Sequence, residues 1–144
     1  MIRALEALSP EDWTLAALAI ELLAWDRVVP ASRDALERMG SGITGMLVDV
    51  LLDPDRDFTV RRRMPRVPGF LPSMRSVEGL FAALQDQRFE VRFYSGRALC
   101  LLLRDHANLH LPPERVWEAV NRELSLQKSV RQSHPPARAD LTCW

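Results

Sequence analysis

Two stretches of the chain resemble each other, and their resemblance decides the predicted fold. Residues 58–66 read FTVRRRMPR, and residues 89–97 read FEVRFYSGR, at a shift of 31 positions. Internal repetition with a period of 20–50 residues is typical of helical repeat proteins. The identical pairs at this shift are Phe58/Phe89, Val60/Val91, Arg61/Arg92, Arg66/Arg97 and Leu71/Leu102.

The similarity continues upstream at a shift of 33, because the first turn carries a two-residue insertion. There, Leu47 matches Leu80, Leu51 matches Leu84 and Asp53 matches Asp86. Each unit is therefore a helix, an Asp-bearing turn and a second helix. The second helices carry apolar or small residues at helical spacing, namely Val60, Met64, Val67, Leu71 and then Val91, Ser95, Ala98, Leu102. Because a helix pair cannot bury both apolar faces alone, the units must stack. We predict an all-α fold, an α-α superhelix of about six or seven helices.

The pattern of leucine-rich helix, Asp turn and Val-Arg near the start of the next helix resembles a HEAT repeat of the armadillo-like α-solenoids. HEAT repeats typically place an Arg six residues after the turn Asp, as Asp86 and Arg92 are placed. Asp53 and Arg61 depart from that spacing by the two inserted residues. The resemblance implies that these four residues form a structural Asp/Arg ladder in a curved scaffold. It brings no catalytic residues.

The predicted domain organisation is one HEAT-like helical repeat domain over 1–128, followed by a polar, proline-containing, flexible tail over 129–144. The repeats are clearest over about 43–71 and 76–104. The flanking helices match the pattern less closely.

Ahead of the repeats, Ser9 is expected to cap a helix that runs to about Trp25. This helix is apolar nearly all round, which is typical of a helix packed between neighbours, so Trp25 is expected in the core. Cys100 lies in an apolar run and is also expected to be a small core residue. Pro65 interrupts the second helix of the first repeat and predicts a kink there.

The charges are strongly segregated, although the formal net charge is zero, with 19 basic and 19 acidic residues. Residues 1–57 carry a net charge of −6, and residues 58–104 carry +6. The zero total therefore does not exclude an anionic partner.

The candidate binding site is a basic stripe of Arg62, Arg63, Arg66 and Arg97. The family resemblance implies that second helices line the concave face, where such a stripe would take an acidic protein surface, a phosphate group or a nucleic-acid backbone. Two readings without a ligand compete with this one. The arginines form a solvated face, or they meet an acidic surface formed by residues 1–57 of the same chain or of a second copy.

We predict a non-enzymatic scaffold or accessory module that binds another protein. The alternatives are nucleic-acid or phosphate binding by the stripe and a DNA-glycosylase-like repair enzyme, for which Trp25 and Asp26 are the residues to consider. No cofactor is expected. A metal is not expected either, since His106 and His110 have no third and fourth ligand.

The expected location is the cytoplasm, without membrane insertion. The two cysteines, Cys100 and Cys143, are too few for a disulfide framework, and no signal peptide is evident at the N-terminus.

Overall fold

Helices form the regular secondary structure of this computed structural model, which describes residues 1–9, 11–67 and 70–133. No strand occurs in these ranges, so the all-α prediction is confirmed. The helices are α1 (Ile2–Glu6), α2 (Ala16–Glu21), α3 (Val29–Met39), α4 (Thr44–Leu52), α5 (Phe58–Arg63), α6 (Met74–Ala82), α7 (Phe89–Asp105) and α8 (Pro113–Ser133). Short 3-10 turns adjoin them at Trp13–Leu15, Leu22–Ala24, Gly40–Ile43, Met64–Arg66 and Ala83–Gln85.

The chain divides into two compact units, Met1–His110 and Leu111–Trp144, where the sequence predicts one domain over 1–128. Both repeats lie in the first unit. In the second unit α8 continues to Ser133, so the first residues of the predicted tail are helical. The remainder of that tail, 134–144, lies outside the described residues.

Side-chain caps fix where two of the repeat helices begin. The Asp57 carboxylate accepts hydrogen bonds from the backbone N–H groups of Thr59 (2.7 Å) and Val60 (3.1 Å) at the start of α5. The Ser73 hydroxyl accepts one from the Ser76 N–H (3.1 Å) at the start of α6. Each cap satisfies backbone donors that have no partner within the helix.

Equivalent helices of the two repeats pack on each other, α4 on α6 and α5 on α7. Helices α4 and α6 approach each other closely at Gly79, where an added Cβ would lie 2.5 Å from a methyl carbon of Val48. A glycine is required here because no side chain fits between the two helices.

The repeat pattern correctly marks several core positions. Val60 and Val91 are buried, and so are Leu47 and Leu80. The buried face of α7 then runs through Val91, Ser95 and Leu99, whereas Ala98 and Leu102 are only half-buried. Cys100 is exposed, so its predicted core position is wrong. It follows Leu99 by one position, which turns its side chain off the buried face.

The apolar segment before the repeats is less buried than its composition suggests. It forms α2 and two flanking 3-10 turns, and it packs through Ala16, Ala19, Ile20 and Leu23. Trp25 is 66% exposed, so the prediction that it belongs to the core is wrong. The reason is that α2 packs on α3 and buries Ala16, Ala19 and Ile20. Trp25 follows the end of the 3-10 turn Leu22–Ala24 and lies outside that buried face.

The start of this segment also differs from the prediction. Ser9 does not begin a continuous helix, because the first helical turn of the segment begins at Trp13. Instead, the Ser9 backbone N–H (2.7 Å) and hydroxyl (2.9 Å) donate to the Asp12 carboxylate. Both hydrogen bonds lower the pKa of Asp12 below its ordinary value, and the one from the backbone N–H has the larger effect.

Candidate binding groove

The two repeats differ in the length of their second helix, and the difference follows from Pro65. Pro65 has no N–H to donate and its ring disfavours a helix interior, so α5 ends at Arg63 and the chain continues as a 3-10 turn over Met64–Arg66. The sequence therefore correctly marks the site of the break. The equivalent helix α7 continues for 17 residues, to Asp105, so its second half extends beyond its shorter neighbour.

A groove of about 580 Å³ lies along this second half of α7. Its lining includes three buried apolar residues. Val67 and Phe70 precede α6, and Leu80 lies within it. From α7 it includes partly exposed apolar residues, among them Phe93 and Leu101. The groove can thus remove apolar side chains of a bound molecule from water.

Two arginines of the predicted stripe line this groove. Arg66 and Arg97 occupy equivalent repeat positions, and both side chains are exposed. The guanidinium carbon of Arg66 lies 5.2 Å from the centroid of the Tyr94 ring, a cation–π contact that orients it over α7. The groove therefore joins an apolar lining to two positive charges.

The groove also contains one carboxylate, at the C-terminal end of α7. The Arg104 guanidinium donates to the Asp105 carboxylate (2.7 and 3.2 Å), and this hydrogen bonding lowers the pKa of Asp105. Asp105 therefore stays ionised at neutral pH and opposes an anion at that end. An anionic ligand is favoured toward Arg66 and Arg97.

Arg62, another stripe residue, lies on a different part of the surface. Its guanidinium is 5.7 Å from the centroid of the Phe58 ring, and the Arg88 guanidinium is 5.0 Å from the same centroid. Neither arginine forms an ion pair with a carboxylate of the described residues. The Phe58 ring thus contacts the guanidinium groups of Arg62 and Arg88, and both groups keep their positive charge without a carboxylate partner.

Arg63 points inward rather than toward a ligand. It donates to the Leu23 carbonyl oxygen (2.6 Å) and forms an ion pair with Asp26. Asp26 belongs to the acidic segment 1–57, so at this position the basic repeat meets the acidic end of its own chain. The four stripe residues therefore do not form one surface.

The predicted Asp/Arg ladder residues form contacts between and within the repeats. Arg61 is buried, donates to the Leu51 carbonyl oxygen (3.0 and 3.1 Å) and pairs with the Asp86 carboxylate of the next repeat. Arg92 donates to the backbone carbonyl oxygens of Asp86 and Gln87 (3.1 Å each).

Asp53 lies in its own turn. There its carboxylate accepts from the Asp55 N–H (3.0 Å) and lies 3.4 Å from Arg56. The turn aspartate of the second repeat, not that of the first, is therefore the partner of Arg61.

The residues considered for a metal site and for a repair enzyme lie in different parts of the fold. His106 follows the end of α7 and His110 lies beyond it, so the pair does not share a helix. Among the described residues no group of three or more His, Cys, Asp and Glu could hold a metal ion. Asp26, considered for a repair enzyme, is paired with Arg63. No helix in the described ranges has the length and hydropathy needed to cross a membrane.

Comparisons with protein families, curated proteins and solved structures found no match. The likeness to HEAT repeats is therefore a resemblance carried by the repeat residues alone.

Sequence reasoning missed several groove residues, in particular Tyr94 and Phe70. Tyr94 aligns with Arg63 at the repeat shift, so the repeat pattern carries no signal for it. Only its position one turn before Arg97 suggests that the two share a face.

Proposed function

We propose that the chain is a non-enzymatic binding module, a HEAT-like solenoid whose groove holds a segment of a partner protein. The stacking of α4 on α6 and of α5 on α7 supports the solenoid, because each repeat packs on its equivalent in the next. The Arg61–Asp86 pair between the repeats supports it further.

One observation carries the binding proposal. Arg66 and Arg97, which are equivalent in the two repeats, line the same groove beside buried apolar side chains. The occupant that fits is a peptide segment with apolar residues for the lining and Asp or Glu for the two guanidinium groups. Arginine and aromatic residues such as Tyr94 are also the side chains most enriched where proteins bind each other.

The test uses a short fluorescein-labelled peptide of Glu and Leu in equal numbers, with fluorescence anisotropy as the readout. We expect the protein to bind this peptide and to bind its Gln/Leu counterpart at least 10-fold more weakly. The double variant Arg66→Gln/Arg97→Gln should lose about 10-fold in affinity for the acidic peptide, since exposed charges at an interface contribute modestly.

The control is Arg62→Gln, which removes one positive charge outside the groove and should leave the affinity unchanged. Circular dichroism melting checks that the variants are folded. If the acidic peptide binds no better than its Gln/Leu counterpart, or if Arg62→Gln weakens binding as much as the groove variant, the groove is not the site.

A second candidate function, nucleic-acid binding, is favoured by the pair of arginines at Phe58. Arg62 and Arg88 present two unneutralised guanidinium groups, an arrangement that suits backbone phosphates. This function predicts a duplex DNA mobility shift that weakens with salt and with Arg62→Ala plus Arg88→Ala. Absence of a shift at low salt would exclude it.

A further inference from the structure

A second and smaller pocket of about 260 Å³ lies beside the groove, between α3 and the end of α5. It is lined by Asp26, Val29, Pro30, Arg33, Arg63 and Arg66. Three guanidinium groups against one carboxylate leave a net charge of +2 around it. Like charges gathered this closely repel each other in the absence of an anion.

Arg33 lines this pocket but takes no part in the ion pair between Arg63 and Asp26. Its Nε is buried, and no hydrogen-bond acceptor among the described residues meets it. A buried donor of a charged group without an acceptor is rare and costly in a folded protein. The unpaired Arg33 donor could not be predicted from the repeat pattern, because Arg33 lies outside both repeats.

The other two arginines are held in place by the fold. Arg63 is fixed by the Leu23 carbonyl oxygen and by Asp26, and its side chain is 17% exposed. Arg66 is oriented by the Tyr94 ring. Because Asp26 is already engaged by Arg63, it offsets one of the three charges and leaves two for a ligand.

We propose that this pocket binds a phosphate monoester group. A phosphate monoester carries a charge of about −1.5 to −2 at neutral pH and three strong acceptor oxygens. The charge matches that of the pocket, and the oxygens can accept from the guanidinium groups of Arg33, Arg63 and Arg66, which line it. Guanidinium groups are the side chains best suited to phosphate oxygens. The pocket goes beyond the proposed peptide groove, since Arg33 and Asp26 do not line the groove.

The first experiment measures binding of inorganic phosphate to the whole chain by isothermal titration calorimetry and by thermal melting, against chloride at equal ionic strength. At about ten times the Kd, phosphate should raise the Tm by about 5 °C by mass action. Arg33→Gln should abolish this shift, and it should raise the Tm without phosphate because it removes the unpaired charge.

The matched control is Arg97→Gln, which lies in the groove but not in the pocket and should keep the full phosphate shift. If Arg33→Gln fails to fold, Arg66→Gln gives the independent measurement, because Arg66 is exposed and its loss should weaken phosphate binding. Equal phosphate shifts in the wild type and Arg33→Gln would overturn the proposal, as would equal shifts with phosphate and chloride.

A phosphoserine peptide and the same peptide without the phosphate group distinguish the two sources of a phosphate group, a phosphorylated protein and a small phosphate ester. Tighter binding of the phosphopeptide than of inorganic phosphate assigns the pocket to a phosphorylated protein. Equal binding assigns it to a small phosphate ester. Because Arg97→Gln impairs the groove alone, failure of the proposed peptide binding and failure of the phosphate site give different results.

Discussion

The guanidinium of Arg61 in α5 pairs with the carboxylate of Asp86, the turn residue of the following repeat, and both side chains are nearly buried, at 6% and 12% exposed. The same guanidinium donates to the Leu51 carbonyl oxygen at the end of α4. One arginine thus ties together the two helices of its own repeat and the turn of the next.

Removing the charge of Asp86 should destabilise the protein strongly. In Asp86→Asn the side-chain oxygen can still accept from the Arg88 N–H (2.8 Å), but the buried Arg61 loses its counter-charge. We expect a loss of about 3 kcal/mol in the free energy of unfolding, measured by urea denaturation.

The equivalent substitution in the first repeat, Asp53→Asn, is the control. The Asp53 carboxylate pairs with Arg56 in an exposed turn, with side chains 41% and 48% exposed, so its loss should cost less than about 1 kcal/mol. Equal losses of unfolding free energy in Asp86→Asn and Asp53→Asn would show that the Arg61–Asp86 pair stabilises the fold no more than an exposed ion pair does.

Helix packing predicts opposite effects at two glycines, Gly79 in α6 and Gly96 in α7. Gly79→Ala should cost about 1–3 kcal/mol, because the new methyl group would overlap Val48. Val48→Ala in the same background should recover part of the loss, because it removes the overlapping methyl groups. The readout for every variant is the free energy of unfolding.

Gly96→Ala in α7 serves as the comparison. Its added Cβ would lie 3.4 Å from Leu84 Cδ2, an ordinary contact, and alanine favours the helix, so stability should rise by about 0.4–1 kcal/mol. A loss at Gly96 as large as that at Gly79 would contradict the packing described here.

The pKa of Asp12 should depend on Ser9. The folded value is lowered chiefly by the Ser9 backbone N–H and then by its hydroxyl. Ser9→Ala should therefore raise the pKa only part of the way toward its ordinary value, as measured by NMR titration of the carboxyl carbon. Asp105, whose pKa is lowered by Arg104, should not move in the same spectra.

The sign of the pH dependence follows from the same contact. Because the folded pKa of Asp12 lies below the ordinary 3.8, the contact with Ser9 stabilises the fold above that pH. Its contribution is lost as the pH falls through the lowered pKa. A stability contribution that grew on acidification would contradict this assignment.

The repeat alignment predicted the part of the fold that depends on local pattern. Matching positions such as Val60 and Val91 are both buried, because the same helical periodicity sets the same face inward. The exposure of Trp25 could not be predicted in this way, since composition shows that a segment is apolar but not which of its faces has a neighbour.

The candidate site was predicted only in part for a similar reason. Arg66 and Arg97 stand out as a repeated pair, and both line the groove. The inward turn of Arg63 depends on Asp26, 37 residues away, and the unpaired donor of Arg33 depends on three-dimensional packing. Neither relationship leaves a repeated pattern in the sequence.

The most direct test of the central claim, that a partner segment lies in the groove, is site-specific photo-crosslinking. The photoreactive residue p-benzoyl-phenylalanine is placed at Phe93 in one variant and at Trp13 in another. Both side chains are aromatic and exposed, at 49% and 60%, but only Phe93 lines the groove. Each variant is irradiated with the labelled Glu/Leu peptide. We predict a crosslinked product from position 93 that disappears with Arg66→Gln/Arg97→Gln, and little from position 13. Equal crosslinking from both positions, or a product that survives the loss of both arginines, would contradict the account.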